Sequence, residues 1–293
     1  MLPRFLFGLL ASTTALAHPG WGLQVDVEGN VYFTDLDHVY RAAADGGVDR
    51  WVEDVHSHAL YLDEDEALIG EHSWVNEGGE FRHRYWRADA SGKRSELSPA
   101  AAAASFGMAS PNGGQLLPFS DNNKGVAGLA SVTDGAASAS ALPRVGAVDG
   151  SLEQARFGIF GAAISDGAGG LLVTSGGQLR AIDARGRVTT VLGEAQGFPF
   201  DAEGSSRLLG LSLAFNGDVF VADLDERELL RVDRDTGEVI RVLGADLAWT
   251  IAGVHVSGTY VYLLEVNRFP WSSDVRVRRM DSNGRVEFVA RNP

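Results

Sequence analysis

The chain has 293 residues, 39 acidic against 25 basic side chains (net −14), no cysteine, and 36 glycines against 9 prolines. That length fits one large all-β domain or two ordinary ones, with enough chain for a packed core. The acidic surplus argues against nucleic acid as a partner, since affinity for a polyanion comes from cations that release its counterions. Without cysteine there are no disulfides, thiolate metal sites or cysteine nucleophiles.

The first element is not part of the globule. Residues 1–17, MLPRFLFGLLASTTALA, carry one charge at Arg4, an apolar run from Phe5 to about Ala11, and small residues at Ala15 and Ala17. This is the pattern of a secretory signal, and cleavage is expected before His18. The run is too short to span ~30 Å of hydrocarbon, and no later stretch reaches the ~20 apolar residues a spanning helix needs. A secreted or periplasmic product without a membrane span is expected.

From there on one phrase repeats. GLQVDVEGNVYFTD (Gly22 to Asp35) and GLSLAFNGDVFVAD (Gly210 to Asp223) match in spacing throughout. A basic residue with a turn glycine six positions on follows at Arg41 and Gly47, Arg180 and Gly186, Arg231 and Gly237, and Arg278 and Gly284. Second strands of the repeat end at Asp35, Glu71, Ser120, Ser175, Asp223 and Glu265, spaced 36 to 55 residues apart. Each copy reads as four short period-two strands with Gly, Asn or Asp at the bends. Such a unit cannot bury both faces alone, and radial stacking solves the problem. The expectation is an all-β, six-bladed β-propeller of four-stranded antiparallel blades, one domain over 18–293. Its blades lie at about 20–54, 58–98, 104–146, 158–193, 208–245 and 249–291, with loops between blades at 147–156 and 194–206.

With D-x-x-G-N-V-Y-x-x-D at Asp26 to Asp35, G-x-x-D-G-x-x-x-x-A-R-F at Gly146 to Phe157 and R-A-I-D-A-R-G-R-V-T-T-V-L-G at Arg180 to Gly193, the chain resembles NHL-type six-bladed propellers. More distantly it resembles the gluconolactonase-like and strictosidine-synthase-like families. The resemblance covers essentially all of 18–293 and implies the fold; the architecture hosts hydrolases, lyases and pure binding modules. The gluconolactonase-like metal site uses an early Glu, an Asn in a Pro-Asn-Gly segment and a later Asp. Pro111-Asn112-Gly113 is present here, but it follows an inner strand and reads as a turn on the opposite face.

The third copy is the weakest. Residues 100–104 are consecutive alanines, and Ser131 to Leu142 is rich in Ala and Ser. Either this is a degenerate blade or an insertion that leaves five blades. The blade is favoured, because Gly113 to Phe119 reads as a strand after a turn.

In a propeller the inner strands begin, and the second strands end, at one mouth. Residues just before the small inner-strand starters are Trp21, His58, Phe106, Phe160, Leu209 and Ala252, an apolar ring with a single histidine. Carboxylates at the second-strand ends would repel one another there or require a cation. Glu71, Glu265, His58 and Asp223 are therefore the candidate metal ligands, for Ca²⁺ or Zn²⁺. The same Glu71 and Glu265, with His58 as base or ligand, are the candidate catalytic groups. The bland alternative for Asp35 and Asp223 is to accept backbone N–H bonds in the next turn; for His58 it is a packed histidine. His255 is expected between blades, and His38 and His83 on the surface. Trp21, Trp249, Asn267, Phe269 and Trp271 are the candidate ligand-binding residues, the loop from Asn267 to Trp271 forming a recognition loop or lid. Arg82 to Arg87 (RHRYWR) is either an anion-contacting cluster or a strand with solvated arginines. The functional expectation is a monomeric, exported propeller that binds a small molecule or protein at its mouth. The alternative is a metal-assisted, lactonase-like hydrolase or lyase.

Overall fold

The computed structural model describes residues 20–63, 65–75, 81–97, 108–109, 115–121, 126–133, 136–142, 146–158, 160–201, 207–268 and 271–293. The expected signal segment, His18, Phe106, Pro111-Asn112-Gly113 and Phe269 lie outside these residues. Within them the chain forms antiparallel sheets in sequence order. The first holds β1 (Leu23–Val25), β2 (Val31–Thr34), β3 (Val39–Ala42) and β4 (Val48–Val52), and the second β5 (Leu60–Leu62), β6 (Leu68–Val75), β7 (Phe81–Ala88) and β8 (Arg94–Leu97). The third holds β9 (Met108–Ala109), β10 (Gln115–Asp121), β11 (Val126–Thr133) and β12 (Ala136–Leu142). In the fourth, β14 (Phe160–Ser165), β15 (Leu171–Ser175), β16 (Gln178–Ile182) and β17 (Arg187–Leu192) carry an added edge strand, β13 (Gly150–Ser151). The fifth holds β18 (Leu208–Leu213), β19 (Val219–Asp223), β20 (Glu228–Val232) and β21 (Val239–Gly244), and the last β22 (Trp249–Ser257), β23 (Tyr260–Arg268), β24 (Trp271–Met280) and β25 (Val286–Arg291).

Five of these sheets are propeller blades joined through their innermost strands. β5 lies against β1, β1 against β22, β22 against β18, and β18 against β14. Glycines make that approach possible. A Cβ on Gly210 would stand 2.7 Å from the Ala252 carbonyl, and one on Gly253 2.5 Å from the Trp21 carbonyl. Gly22 and Gly161 meet the next inner strand in the same way. The expected six equivalent blades are thereby corrected to five. The Ala/Ser-rich stretch does fold as a four-stranded meander, but its first strand is two residues long and it meets the ring through β10 against β14. Small side chains give such a stretch little apolar surface with which to wedge into a ring.

Burial falls from axis to rim. β2 and β15 are buried at every residue, whereas the outer β4 and β21 are half exposed. The core fills the seams: Val39, Val52, Leu60, Leu68 and Trp86 join the first two blades, and Phe33, Tyr40, Leu264, Val275 and Val277 join the first to the last. Each such side chain, fully buried, contributes about 1.5–3 kcal/mol. Gly70 leaves the space that the Trp86 ring fills, and the Trp86 indole N–H donates to Ser57 Oγ at 3.2 Å. The last seam has a further clasp, since Asn292 Nδ2 donates to Asp35 Oδ2 at 3.3 Å. His255 lies on β22 opposite Tyr262, which packs in the seam between the last and first sheets, and its burial lowers its pKa to about 4.

The segment 147–156, expected as a loop between blades, instead supplies β13. Asp149 anchors it by accepting from Arg180 Nη2 at 2.7 Å and Thr190 Oγ1 at 2.9 Å. Arg180 is fully buried over the Phe157 ring, and that burial lowers its pKa.

Candidate functional site

Of the predicted ring, Trp21 and His58 come together, while Phe160 packs in a separate core cluster of the fourth sheet. Trp21 donates its backbone N–H to the His58 carbonyl at 2.8 Å, and its indole stacks on the His58 ring with centroids 5.4 Å apart. The same indole packs against two seams, one holding Leu209 and Ala252 and the other Ala162, Phe198 and Leu208. Trp21 therefore lies across the axis and floors the mouth.

A second histidine extends this surface. The His56 ring meets His58 edge-on at 4.9 Å, and the His56 backbone N–H donates to His72 Nδ1 at 2.9 Å. A neutral His72 must then carry its proton on Nε2. His56 Nδ1 stands 3.7 Å from Asp37 Oδ1, and these two side chains are 37% and 70% exposed, so both are open to solvent. Trp21, His58, His56, His72 and Asp37 thus form one patch of rings and hydrogen-bonding groups where the first two blades meet. Of these, Trp21 and His58 were read from the sequence as site residues. Asp37, His56 and His72 also stand at strand ends and connections that the repeat directs to the mouth, without a specific role read for them there.

The strand-end carboxylates do something else. Glu265 is fully buried and is gripped by Arg276 Nε at 2.6 Å and Arg278 Nη2 at 2.5 Å. Burial works against the charge on Arg276, but hydrogen bonds to Asp246 and Glu265 raise its pKa. Asp223 accepts from Arg207 Nη2 at 2.9 Å and from the Glu226 backbone at 3.2 Å. Asp35 accepts the backbone N–H groups of Asp37 and His38 at 3.0 and 2.8 Å and the Tyr40 hydroxyl at 2.8 Å. These acids hold strand ends together. Beside Asp223, burial and the neighbouring carboxylates raise the pKa of Asp225.

Trp249 is nearly buried, with the Arg276 guanidinium 4.3 Å and that of Arg291 5.6 Å from its ring. Asn267 donates to Asp274 Oδ2 at 3.0 Å. Glu71 lies on β6 opposite Tyr85, and Trp271 on β24 opposite Arg268; the side chains of both are outside the described residues. The structure thus unites Trp21 with His58, and leaves Glu265, Trp249 and Asn267 together in a separate, ion-paired cluster on the last sheet. Arg87, from the basic run, pairs with Asp63 at 2.7 Å. Among the described residues no group of three or more His, Asp or Glu is placed to hold a metal ion, and no helix is long and apolar enough to cross a membrane.

Much of the negative charge lies away from the mouth. Asp26, Asp63, Asp166, Asp183, Asp233 and Asp281 accept backbone N–H bonds in the hairpin turns of the opposite face. The N–H groups of Thr236 and Asp235 hold the Asp233 carboxyl below the usual range.

No protein-family model matches the chain, and no curated protein matches it. Solved structures do. The chain is similar to virginiamycin B lyase from Staphylococcus aureus, with 15% identity, 94% of this chain and 84% of that one covered, and a TM-score of 0.50. It is also similar to a PQQ-bound aldose sugar dehydrogenase from Streptomyces coelicolor, with 13% identity, coverage of 85% and 88%, and a TM-score of 0.52. A chain of a nidogen/laminin complex matches with 14% identity, coverage of 80% and 83%, and a TM-score of 0.54. Two of these are named as enzymes and one as part of a protein complex, so at such low identity the likeness shows the β-propeller fold alone.

Proposed function

We propose that this is an exported, NHL-type propeller that binds a small molecule or protein partner at its mouth, on the patch formed by Trp21, His56, His58, His72 and Asp37. One observation carries the reading: two mouth-side segments distant in sequence bring an aromatic floor and exposed hydrogen-bonding groups to one place, the usual composition of a ligand site. Native mass spectrometry of protein recovered from culture medium tests it. The expected result is a mass beginning at His18 with a bound species that is lost in Trp21→Ala and His56→Ala. Equal retention of that species in both variants, or a secreted product that keeps residues 1–17, overturns the respective half of the proposal.

The alternative is a metal-assisted hydrolase or lyase that uses His58 with Glu71. Glu265 and Asp223 give it no support, because arginines already hold their carboxylates. Metal analysis of gently purified protein decides the matter. Near-stoichiometric Zn²⁺ or Ca²⁺ that disappears in Glu71→Gln would favour the enzyme.

A further inference from the structure

On the fourth blade, far in sequence from the mouth patch, is a cavity of ≈ 360 Å³ lined by Gly150, Ser151, Gln154, Arg185, Gly186 and Arg187. It exists because this sheet alone carries an added fifth strand. β13 pairs with β17, Ser151 opposite Arg187, and the Leu152 N–H donates to the Gly186 carbonyl at 3.0 Å. The strand and the β16–β17 turn thereby face each other across a fixed gap, pinned by buried Arg180 on Asp149. Gly150 has φ +139°, and a Cβ there would stand 3.2 Å from Gln154 Oε1, so the wall closes tightly only with glycine.

The cations in this cavity are unlike most others on the molecule. Arg87, Arg180, Arg207, Arg276, Arg278 and Arg291 each hold a carboxylate. Arg185 and Arg187 bond through their backbones, each N–H donating to Asp183 Oδ1 and the Arg187 carbonyl accepting from the Asp183 N–H, and their guanidinium groups have neither an ion pair nor a hydrogen bond among the described residues. Single surface cations are ordinarily just solvated. Here Arg185 and Arg187, with one residue between them, line an open depression together with the Ser151 hydroxyl and the Gln154 carboxamide. That donor set suits an acceptor-only, multiply charged group, because guanidinium binds oxyanions through paired N–H bonds. In a chain of net charge −14 the rest of the surface competes poorly for such a ligand.

We infer that this cavity is a binding site for a tetrahedral oxyanion, phosphate or sulfate, either free or as the ester group of a larger molecule. The site is independent of the mouth and of what binds there. The test titrates inorganic phosphate, sulfate and phenyl phosphate into isotope-labelled full-length protein at fixed ionic strength, with sodium chloride as control, and follows backbone amide resonances. Expected are saturable shifts at Gly150, Ser151, Gly186 and Arg187 with a Kd of about 1 mM or tighter, while the Trp21 indole resonance stays still. The double variant R185Q/R187Q, changed only at exposed side chains and checked for an unaltered unfolding midpoint, should weaken binding at least ~10-fold. Binding of the ester alone supports the site and assigns it to a larger molecule; binding of all three points to the free ion. Shifts equal to those in chloride, shifts that survive in the double variant, or no shift with any of the three overturn the inference.

Discussion

The strand end on the last blade and the junction of the first two blades lie on the same face of the repeat and are built oppositely. At Glu265 a buried carboxylate sits between Arg276 and Arg278, with Trp249 sealed beneath the Arg276 guanidinium. At the other place His56 and Asp37 stand 3.7 Å apart and exposed over the Trp21 and His58 rings. The strand end on the last blade therefore serves cohesion, as Asp35 does on the first, whereas the connection between the first two blades leaves a carboxylate and an imidazole exposed.

The sharpest way to break this contrast is Glu265→Gln. It leaves the mostly buried Arg278 guanidinium without a carboxylate and Arg276 with Asp246 alone, and urea unfolding should show a loss of about 3–5 kcal/mol; a loss under ~1 kcal/mol would mean the pair is dispensable. Asp35→Asn comes next. It weakens the acceptor shared by two backbone N–H groups and the Tyr40 hydroxyl, for an expected loss of about 1–3 kcal/mol by the same measurement. Asn292→Ala removes the clasp between first and last blades and should cost about 1 kcal/mol. On the histidine side, His56→Ala should change stability by no more than about 0.5 kcal/mol, and a larger drop would make that patch structural as well.

His255 sharpens the comparison through pH. Its folded pKa, about 4, lies below the ordinary histidine value of 6.5, so the neutral ring is favoured by folding. Its contribution is complete above the unfolded pKa and is lost as pH falls from 6.5 toward about 4, where the unfolded chain takes up the proton first. His255→Gln should flatten the fall of the urea midpoint across that window while leaving the exposed His56 side unchanged; an equally steep fall in the variant would place the titration elsewhere.

The repeat itself was plain in the sequence, because glycines before the inner strands and aspartates in the hairpin turns answer to local steric and hydrogen-bonding demands. Gly210 and Gly253 do meet the next backbone, and Asp35 does accept turn N–H groups. The partners of Glu265 were not read, though a signal existed. Arg276-x-Arg278 puts two guanidinium groups on one face of a strand, and only the hairpin register, Glu265 opposite Arg276, aims them at the acid. β13 left no trace, since two residues have no period. The histidine patch joins residues from a turn, a connection and a neighbouring blade, so only the packing of one blade on the next brings Asp37 and His72 to His56. The blade count failed for a related reason: the strand pattern of the third copy survives, and what it lacks is side-chain bulk.

Each blade is a contiguous stretch of chain, with no strand lent to a neighbour. Among the described residues the seam between first and last blades is held by packed side chains and by the Asn292 contact with Asp35, and no strand crosses it. The modules of the ring can in principle be duplicated, lost or worn down singly without rewiring the others, and the Ala/Ser-rich sheet beside five sound blades has the form such a history would leave.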